Sequence, residues 1–189
     1  MHNIFNTELA YIKDERIKNS LITILNKLPE YFYEIETSST GKYHPAFSSG
    51  KQGLIRHTKA AIRIAVELMN NEALQNFNQN EKDLIIFSLM IHDGLKSGKI
   101  KSQYTAFDHP IQIANFVKEN EQELELTKDE IEFVCRCVRT HMGPWTTDYR
   151  GNEILEAPKD KYQRFVHMCD YLSSRKFLDI KFENNEIVD

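Results

Sequence analysis

The stretch from Leu84 to Asp93 constrains the fold of this chain more than any other. Its first eight residues contain one polar side chain, Ser88, and they run directly into a histidine and that aspartate. Asn80 is a good N-cap, so we predict a helix over about 81–95. Because this helix is apolar on nearly every face, we expect it at the centre of the core. A carboxylate at the end of a buried helix is costly unless it is paired or binds a metal.

Composition and charge place the chain among ordinary globular proteins. Its 189 residues, 41% of them apolar, suffice for one domain with a substantial core. The net charge is −4 and the Lys and Arg residues are dispersed, so the sequence shows no basic region that would bind duplex DNA. The N-terminus has no apolar leader and no run is long enough to span a bilayer, so no membrane partner is expected. We interpret the three cysteines as buried structural thiols of a reduced, cytoplasmic protein.

Apolar residues at helical spacing predict an all-α fold of about six or seven helices. The patterns and capping signals indicate helices at about 14–28, 54–70, 81–95, 108–122, 127–141 and 160–175. Residues 37–53 form a long loop, whose length and composition favour a functional loop over a pocket rather than a plain connector. Residues 177–188, around Asn184-Asn185, could form a short C-terminal β-hairpin.

Six side chains that suit metal binding fall near the ends of five of these helices. They are His57, His92, Asp93, His109, His141 and Asp170. A single histidine on an apolar face is more often a core residue than a ligand. Four imidazoles with two carboxylates are harder to explain that way, and such a set suits a first-row divalent metal. Two such ions bridged by one carboxylate would activate water for attack on a phosphate.

The order of these residues along the chain resembles the signature of the HD-domain metal-dependent phosphohydrolases. The resemblance implies that one ion is held by His57, His92, Asp93 and Asp170. It implies a second ion on His109 and His141, with Asp93 bridging the two. The ions would be divalent transition metals, namely Fe, Mn, Co, Ni or Zn, and Mg would also be acceptable. In HD proteins with a His-Asp-x-x-Lys pattern, the lysine is similar in position to a group on the phosphate side, and here that lysine is Lys96.

The resemblance covers about residues 40–176 and divides the chain into parts. It implies a single HD domain over 1–189, with an N-terminal helical extension at 1–36, a core at 37–176 and a tail at 177–189. The segment 39–45, followed by Gly53-Leu54 and His57-Thr58, further resembles the HD domain of bacterial 3′-to-5′ exoribonucleases and small stand-alone HD proteins of phages and Firmicutes. About 50 residues precede His57, which is too few for the OB-fold of those exoribonucleases plus the loop.

Departures from the pattern narrow the expected activity. Alarmone hydrolases tend to carry acids where this chain has Lys96 and Ser97, so that activity is disfavoured. After His141 the chain reads Met-Gly-Pro-Trp, which lacks the Gly-Tyr-Pro motif of cyclic-di-GMP enzymes. The pattern of eukaryotic cyclic-nucleotide phosphodiesterases, with a histidine three residues after the HD aspartate, is also absent.

Several further residues are candidates for substrate contact, each with a plainer alternative. Lys42 and His44 lie in the 37–53 loop and could contact substrate, or could belong to a mobile surface loop. Lys96 could act on the phosphate, or be a solvated lysine at a helix end. Trp145 could stack on a base, as could Tyr149, or plug the core.

Four other cationic residues and one histidine are weaker candidates for a role at the site. Arg175 could tie the last helix to the core by an ion pair. His167 shares a helix face with Asp170 and could orient it, although a packing role is favoured. Lys51, Arg56 and Lys59 could add positive charge for a phosphate, but single surface cations are common.

The sequence thus predicts a metal-dependent phosphohydrolase that cleaves a phosphate ester of a nucleotide or similar small substrate. Asp93 and Lys96 are the expected catalytic residues. The alternatives are a phosphodiesterase or 3′-exonuclease on short oligonucleotides, and a non-catalytic metal- or nucleotide-binding regulatory domain. The oligomeric state stays open.

Overall fold

The computed structural model describes residues 2–38, 44–71, 74, 76–178 and 180–188, and these are mostly helical. The α-helices among them are α1 (Asn6–Leu9), α2 (Glu15–Lys27), α3 (Gly53–Met69), α4 (Gln79–Ile91), α5 (His109–Glu119), α6 (Lys128–Arg139) and α7 (Lys161–Ser173). Short 3-10 turns occur at His2–Phe5, Glu30–Tyr33, Ala46–Ser48 and Glu121–Glu123. Strands β1 (Phe182–Glu183) and β2 (Glu186–Ile187) form an antiparallel pair. The predicted all-α class with a small C-terminal hairpin is confirmed.

Helix α4 is the centre of the core, as its composition predicts. Every residue from 83 to 91 is buried, and the helix packs on α2, α3, α6 and α7. Its one buried carboxylate, Asp83, accepts hydrogen bonds from the backbone N–H groups of Lys13 and Asp14 and from the Gln79 amide. A polar group is therefore buried in α4 without losing its hydrogen bonds.

The ends of α4 differ from the sequence prediction. The N-cap is Asn78 and not Asn80, because Asn78 and Glu81 form a reciprocal capping box. The Asn80 amide instead donates to Glu130 on α6. The helix ends at Ile91, four residues earlier than expected, and the chain continues in turns through His92 and Asp93.

The other helix boundaries follow from capping. The predicted box of Thr127 and Glu130 opens α6, and a second box, of Asp160 and Gln163, opens α7. Helix α5 begins at His109 and ends at Glu119, three residues short of the predicted end, because the chain tightens into a 3-10 turn there. No α-helix among the described residues is both long and apolar enough to cross a membrane.

The C-terminal hairpin lies on the loop that precedes α3. Its turn residues Asn184 and Asn185 have φ of 49° and 67°, as a two-residue turn requires. The Phe182 ring contacts Phe47 with ring centroids 5.2 Å apart, and the Asn185 amide donates to Gln52 at 2.8 Å. Arg56 donates to Asn185 and to three carbonyls of the same loop, so four of its five N–H donors hold the loop and the hairpin together.

Lys59 has a structural position that the sequence did not predict. Its side chain is buried, and its ammonium contacts the carboxylates of Glu8 at 3.0 Å and Glu186 at 2.8 Å. The lysine therefore joins α1, α3 and β2, and the interpretation of Lys59 as a phosphate-binding cation is wrong. Lys51, the third such candidate, is exposed on the same loop as Gln52.

Replacing Lys59 by Met tests this ion triad. At pH 7 we expect a loss of about 3 kcal/mol in unfolding free energy, because Glu8 keeps a buried charge without its partner. Burial raises the pKa of Glu8, and Lys59 opposes that rise, so the variant's folded-state pKa lies still further above the unfolded value. Such a shift penalises the folded state above that pKa, so the deficit should shrink as the pH falls through it. Urea unfolding at pH 7 and pH 4.5, with chelator present, measures both.

The matched control is Lys118→Met, which removes an exposed pair with Glu132. Exposed pairs contribute only about 0–1 kcal/mol, so this variant should unfold near the wild-type midpoint. An equally small effect of Lys59→Met would contradict a stabilising role for the buried triad.

Candidate metal centre

Helix ends bring the six predicted ligands to one point in the core. His57 lies in the second turn of α3, and His109 is the first residue of α5. His92 and Asp93 follow the last residue of α4, His141 lies two residues beyond α6, and Asp170 lies in the last turn of α7. All four histidines and Asp93 are at most 2% exposed. The clustering of these six residues is the arrangement that the sequence predicted.

The first of two ligand groups consists of His57, His92 and Asp170. The Nε2 atoms of the two histidines are 3.3 Å apart. Asp170 Oδ1 lies 3.0 Å from Nε2 of His57 and 3.4 Å from Nε2 of His92. Three potential ligand atoms thus converge on one point.

The second group consists of Asp93, His109 and His141. The Nε2 atoms of its two histidines are 3.1 Å apart. Asp93 Oδ1 lies 3.0 Å from Nε2 of His109 and 3.7 Å from Nε2 of His141. This group has the same composition as the first, two imidazoles and one carboxylate.

Asp93 connects the two groups through its two oxygens. Oδ1 faces the second group, whereas Oδ2 lies 3.7 Å from Nε2 of His57 and 3.6 Å from Nε2 of His92. The Lys96 ammonium also contacts Oδ2, at 2.5 Å. A carboxylate with one oxygen toward each group is positioned as a bridge.

Hydrogen bonds on the far side of each ring fix the histidine tautomers. The Nδ1 atoms of His92, His109 and His141 lie 2.6–2.7 Å from the carbonyl oxygens of Leu89, Ala106 and Val138 respectively. A carbonyl can only accept, so each Nδ1 carries a proton, and each ring in its neutral form presents the Nε2 lone pair to the centre.

The fourth ring, that of His57, is oriented by a side chain. Its Nδ1 lies 3.0 Å from Ser173 Oγ, and Ser173 gives its own hydroxyl proton to the carbonyl of Asp170 at 2.7 Å. The serine therefore accepts from Nδ1, and His57 has the same tautomer as the other three. Ser173 could not be predicted from the sequence, because nothing in the local pattern shows that α7 packs its end against α3.

The electrostatics keep both carboxylates ionised. Burial alone would raise the pKa of Asp93, but Lys96 and His92 hold it well below its ordinary value. Burial acts in the same sense on Asp170, and His92 and His57 likewise hold its pKa well below the ordinary value. Burial disfavours the charged form of His92, yet the charges of Asp93 and Asp170 raise its pKa. The two carboxylates thus draw positive charge to the centre of the cluster.

When the four rings are in their neutral form, their Nε2 atoms and the two ionised carboxylates are a set of acceptors that fits metal ions. Acceptors at 3.0–3.7 Å from one another repel unless a cation or protons lie between them. With metal–ligand distances of about 2.1 Å, neighbouring ligand atoms lie roughly 3.0–3.4 Å apart in octahedral or tetrahedral shells. Most of the observed separations fall in that range. The two buried groups could therefore each hold a metal ion.

A cavity of about 580 Å³ opens from this centre. Lys96, His44 and Trp145, three predicted substrate contacts, line it, whereas Lys42 lies outside the described residues. His44 stands edge-on to the His57 ring, and its Nδ1 is buried without a hydrogen-bond partner. Burial lowers the pKa of His44 to about 4, so its ring is neutral.

Three further residues of the cavity were not predicted as substrate contacts. Thr37 is 1% exposed, and its hydroxyl has no hydrogen-bond partner. Tyr171 and Arg175 also line the cavity. Arg175 was expected to form an ion pair, but its guanidinium instead lies over the Tyr171 ring and donates to Ser174. His167 does not contact Asp170 through a hydrogen bond but donates from Nδ1 to the carbonyl of His141.

Comparisons with known proteins give this chain no relative. A scan of protein-family models, a search of curated proteins and a search of solved structures all found no match. The resemblance to HD-domain phosphohydrolases therefore rests on the sequence motifs alone.

Ser173 offers a direct test of the centre's geometry. We expect Ser173→Ala to weaken metal binding by about 10- to 100-fold, because His57 loses the partner that fixes its tautomer. Competition with a chromophoric chelator measures the affinity. Ser174→Ala is the matched control, since Ser174 makes the same bond to a carbonyl three residues back but contacts no histidine ring. Equal affinities for the two variants would contradict the assigned role of Ser173.

Proposed function

We propose that this chain is a metal-dependent phosphohydrolase of the HD-domain type, acting on a phosphate ester of a nucleotide or a similar small compound. The observation that carries the proposal is the pair of acceptor groups bridged by Asp93, together with the Lys96 ammonium in the same cavity. Divalent ions bound by these six residues, of which Fe, Mn, Co, Ni, Zn and Mg are candidates, would supply Lewis acidity toward a phosphoryl group and a water.

Lys96 and the four histidines have distinct tasks in this proposal. The imidazoles are held by Nδ1 and need no reorganisation to bind a cation, which is the preorganisation that electrostatic catalysis requires. Lys96 keeps Asp93 ionised and, at the edge of the cavity, places a positive charge beside an entering phosphate. The neutral His44 and the Thr37 hydroxyl offer buried polar atoms that a substrate could satisfy.

The volume of the cavity and the net charge of the protein favour a small substrate over a long polymer. A cavity of about 580 Å³ lies within the range of roughly 300–1,000 Å³ typical of small-molecule sites. The net charge of −4 gives no general attraction for a nucleic acid backbone.

Three free, buried cysteines support a reducing, cytoplasmic location for the protein.

Metal counting on four variants tests the two-ion arrangement. We expect two ions per chain in the wild type, about one in His57→Gln and in His109→Gln, and none in Asp93→Ala, because Asp93 serves both groups. Elemental analysis of protein purified without chelator gives the counts. His167→Gln should keep both ions, since its ring contacts a backbone carbonyl rather than the centre. A metal-loaded Asp93→Ala protein that still hydrolyses phosphate esters would contradict the proposal.

Replacing Lys96 by Met tests catalysis separately from metal binding. We expect Lys96→Met to retain its metal while kcat falls by about 10²- to 10³-fold, the usual effect of removing one group that stabilises developing charge. A phosphate-release screen of nucleoside mono-, di- and triphosphates and short oligonucleotides provides the substrate. Lys99→Met, which removes an exposed lysine paired with Glu119, should keep full activity.

The same screen separates the alternatives. Turnover of dinucleotides without turnover of mononucleotides would identify a phosphodiesterase or 3′-exonuclease. Metal binding without turnover of any phosphate ester would leave the regulatory metal-binding domain as the explanation of the site.

A further inference from the structure

Trp145 is a large aromatic side chain left open to solvent beside the metal centre. It is the single tryptophan of the chain, and it is 50% exposed although it lines the cavity of the histidine and aspartate cluster. A tryptophan that acts as a core plug would be covered by its neighbours. An exposed aromatic surface beside a cavity is typical of a ligand-binding site.

Trp145 belongs to an aromatic wall that also contains Tyr171 and Arg175. The Trp145 and Tyr171 rings are stacked, with centroids 5.8 Å apart and planes at 19°. The Arg175 guanidinium lies 4.1 Å from the centroid of the Tyr171 ring. Two near-parallel rings and a planar cation thus form one side of the cavity.

The wall is held at a fixed place relative to the metal ligands. Tyr171 follows Asp170 directly on α7, and Trp145 lies four residues after His141. His167 connects the two parts, since its ring packs on Trp145 and its Nδ1 donates to the His141 carbonyl at 2.7 Å. Gly143 makes this approach possible: its φ is 66°, and a Cβ there would stand 2.2 Å from the His167 ring.

We infer that this wall binds the planar base of the substrate, so that the substrate is a nucleotide rather than a sugar phosphate or another base-free ester. The inference rests on the proposed function for the phosphate end, while the base end rests on the wall itself. Aromatic rings and guanidinium groups attract the faces of planar heterocycles, and stacking tolerates different bases because every base has such a face.

Fluorescence of Trp145 gives a readout that needs no turnover. Because there is no second tryptophan, a saturable change in emission reports on this ring alone. The protein as purified is titrated with the four ribonucleoside monophosphates and, separately, with ribose 5-phosphate, which has the same phosphate and sugar but no base. We expect saturable quenching by at least one nucleotide and none by ribose 5-phosphate. No response to any of the four nucleotides, or an equal response to ribose 5-phosphate, would overturn the inference.

Calorimetry on variants locates the interaction. Trp145→Ala should raise the Kd of the nucleotide by about 5- to 150-fold, as loss of one base–aromatic stack predicts. Trp145→Phe, which keeps a ring, should lose less. The matched control is Tyr149→Ala: Tyr149 is 88% exposed in the same loop but does not line the cavity. An equal loss in the Tyr149 variant, or no loss in Trp145→Ala, would overturn the assignment, and thermal unfolding of each variant checks that it is folded.

The two proposals fail in different ways. If the protein hydrolyses ribose 5-phosphate as efficiently as nucleotides, the base site is wrong and the phosphohydrolase stands. In the opposite case, nucleotides quench Trp145 fluorescence and Trp145→Ala weakens nucleotide binding, but no ester is cleaved with any metal. The base site would then stand, and the proposed hydrolase activity would be wrong.

Discussion

Asp93 is ionised and buried at the end of α4, the most apolar of the described α-helices. Such a charge is tolerated only where positive charge reaches it, and Lys96 with the surrounding histidines meets that need. The helix brings the carboxylate to the middle of the fold, and the ends of α3, α5, α6 and α7 converge on it. The rest of the core can be understood as the scaffold that holds these helix ends together.

The sequence predicted α2 to α7 and the clustering of the six residues, because both follow from local patterns, whereas α1 was not predicted. Apolar spacing marks the helices, and a histidine at the end of an apolar stripe, such as His141, must point inward. The Thr127 capping box was also readable, and the same pattern at Asn78 and Glu81 could have shown that Asn78 rather than Asn80 is the N-cap.

Features that depend on contacts between distant segments could not be predicted. Lys59 looks like a surface cation in the sequence, but Glu8 and Glu186 lie 51 and 127 residues away from it and make it a buried tie. Ser173 orients His57 across 116 residues. The division of the Asp93 oxygens between two histidine pairs is likewise a property of the assembled helix ends, and the spacing of the residues does not encode it.

In the proposed centre, each acceptor group holds one ion and Asp93 lies between the two ions. Anomalous diffraction from crystals soaked in Mn²⁺ would locate these ions. We expect two anomalous peaks roughly 3.5–4 Å apart, the spacing of two-metal hydrolytic sites, one on each side of the Asp93 carboxylate. A map without peaks at this cluster, in crystals that bind Mn²⁺ elsewhere, would contradict it.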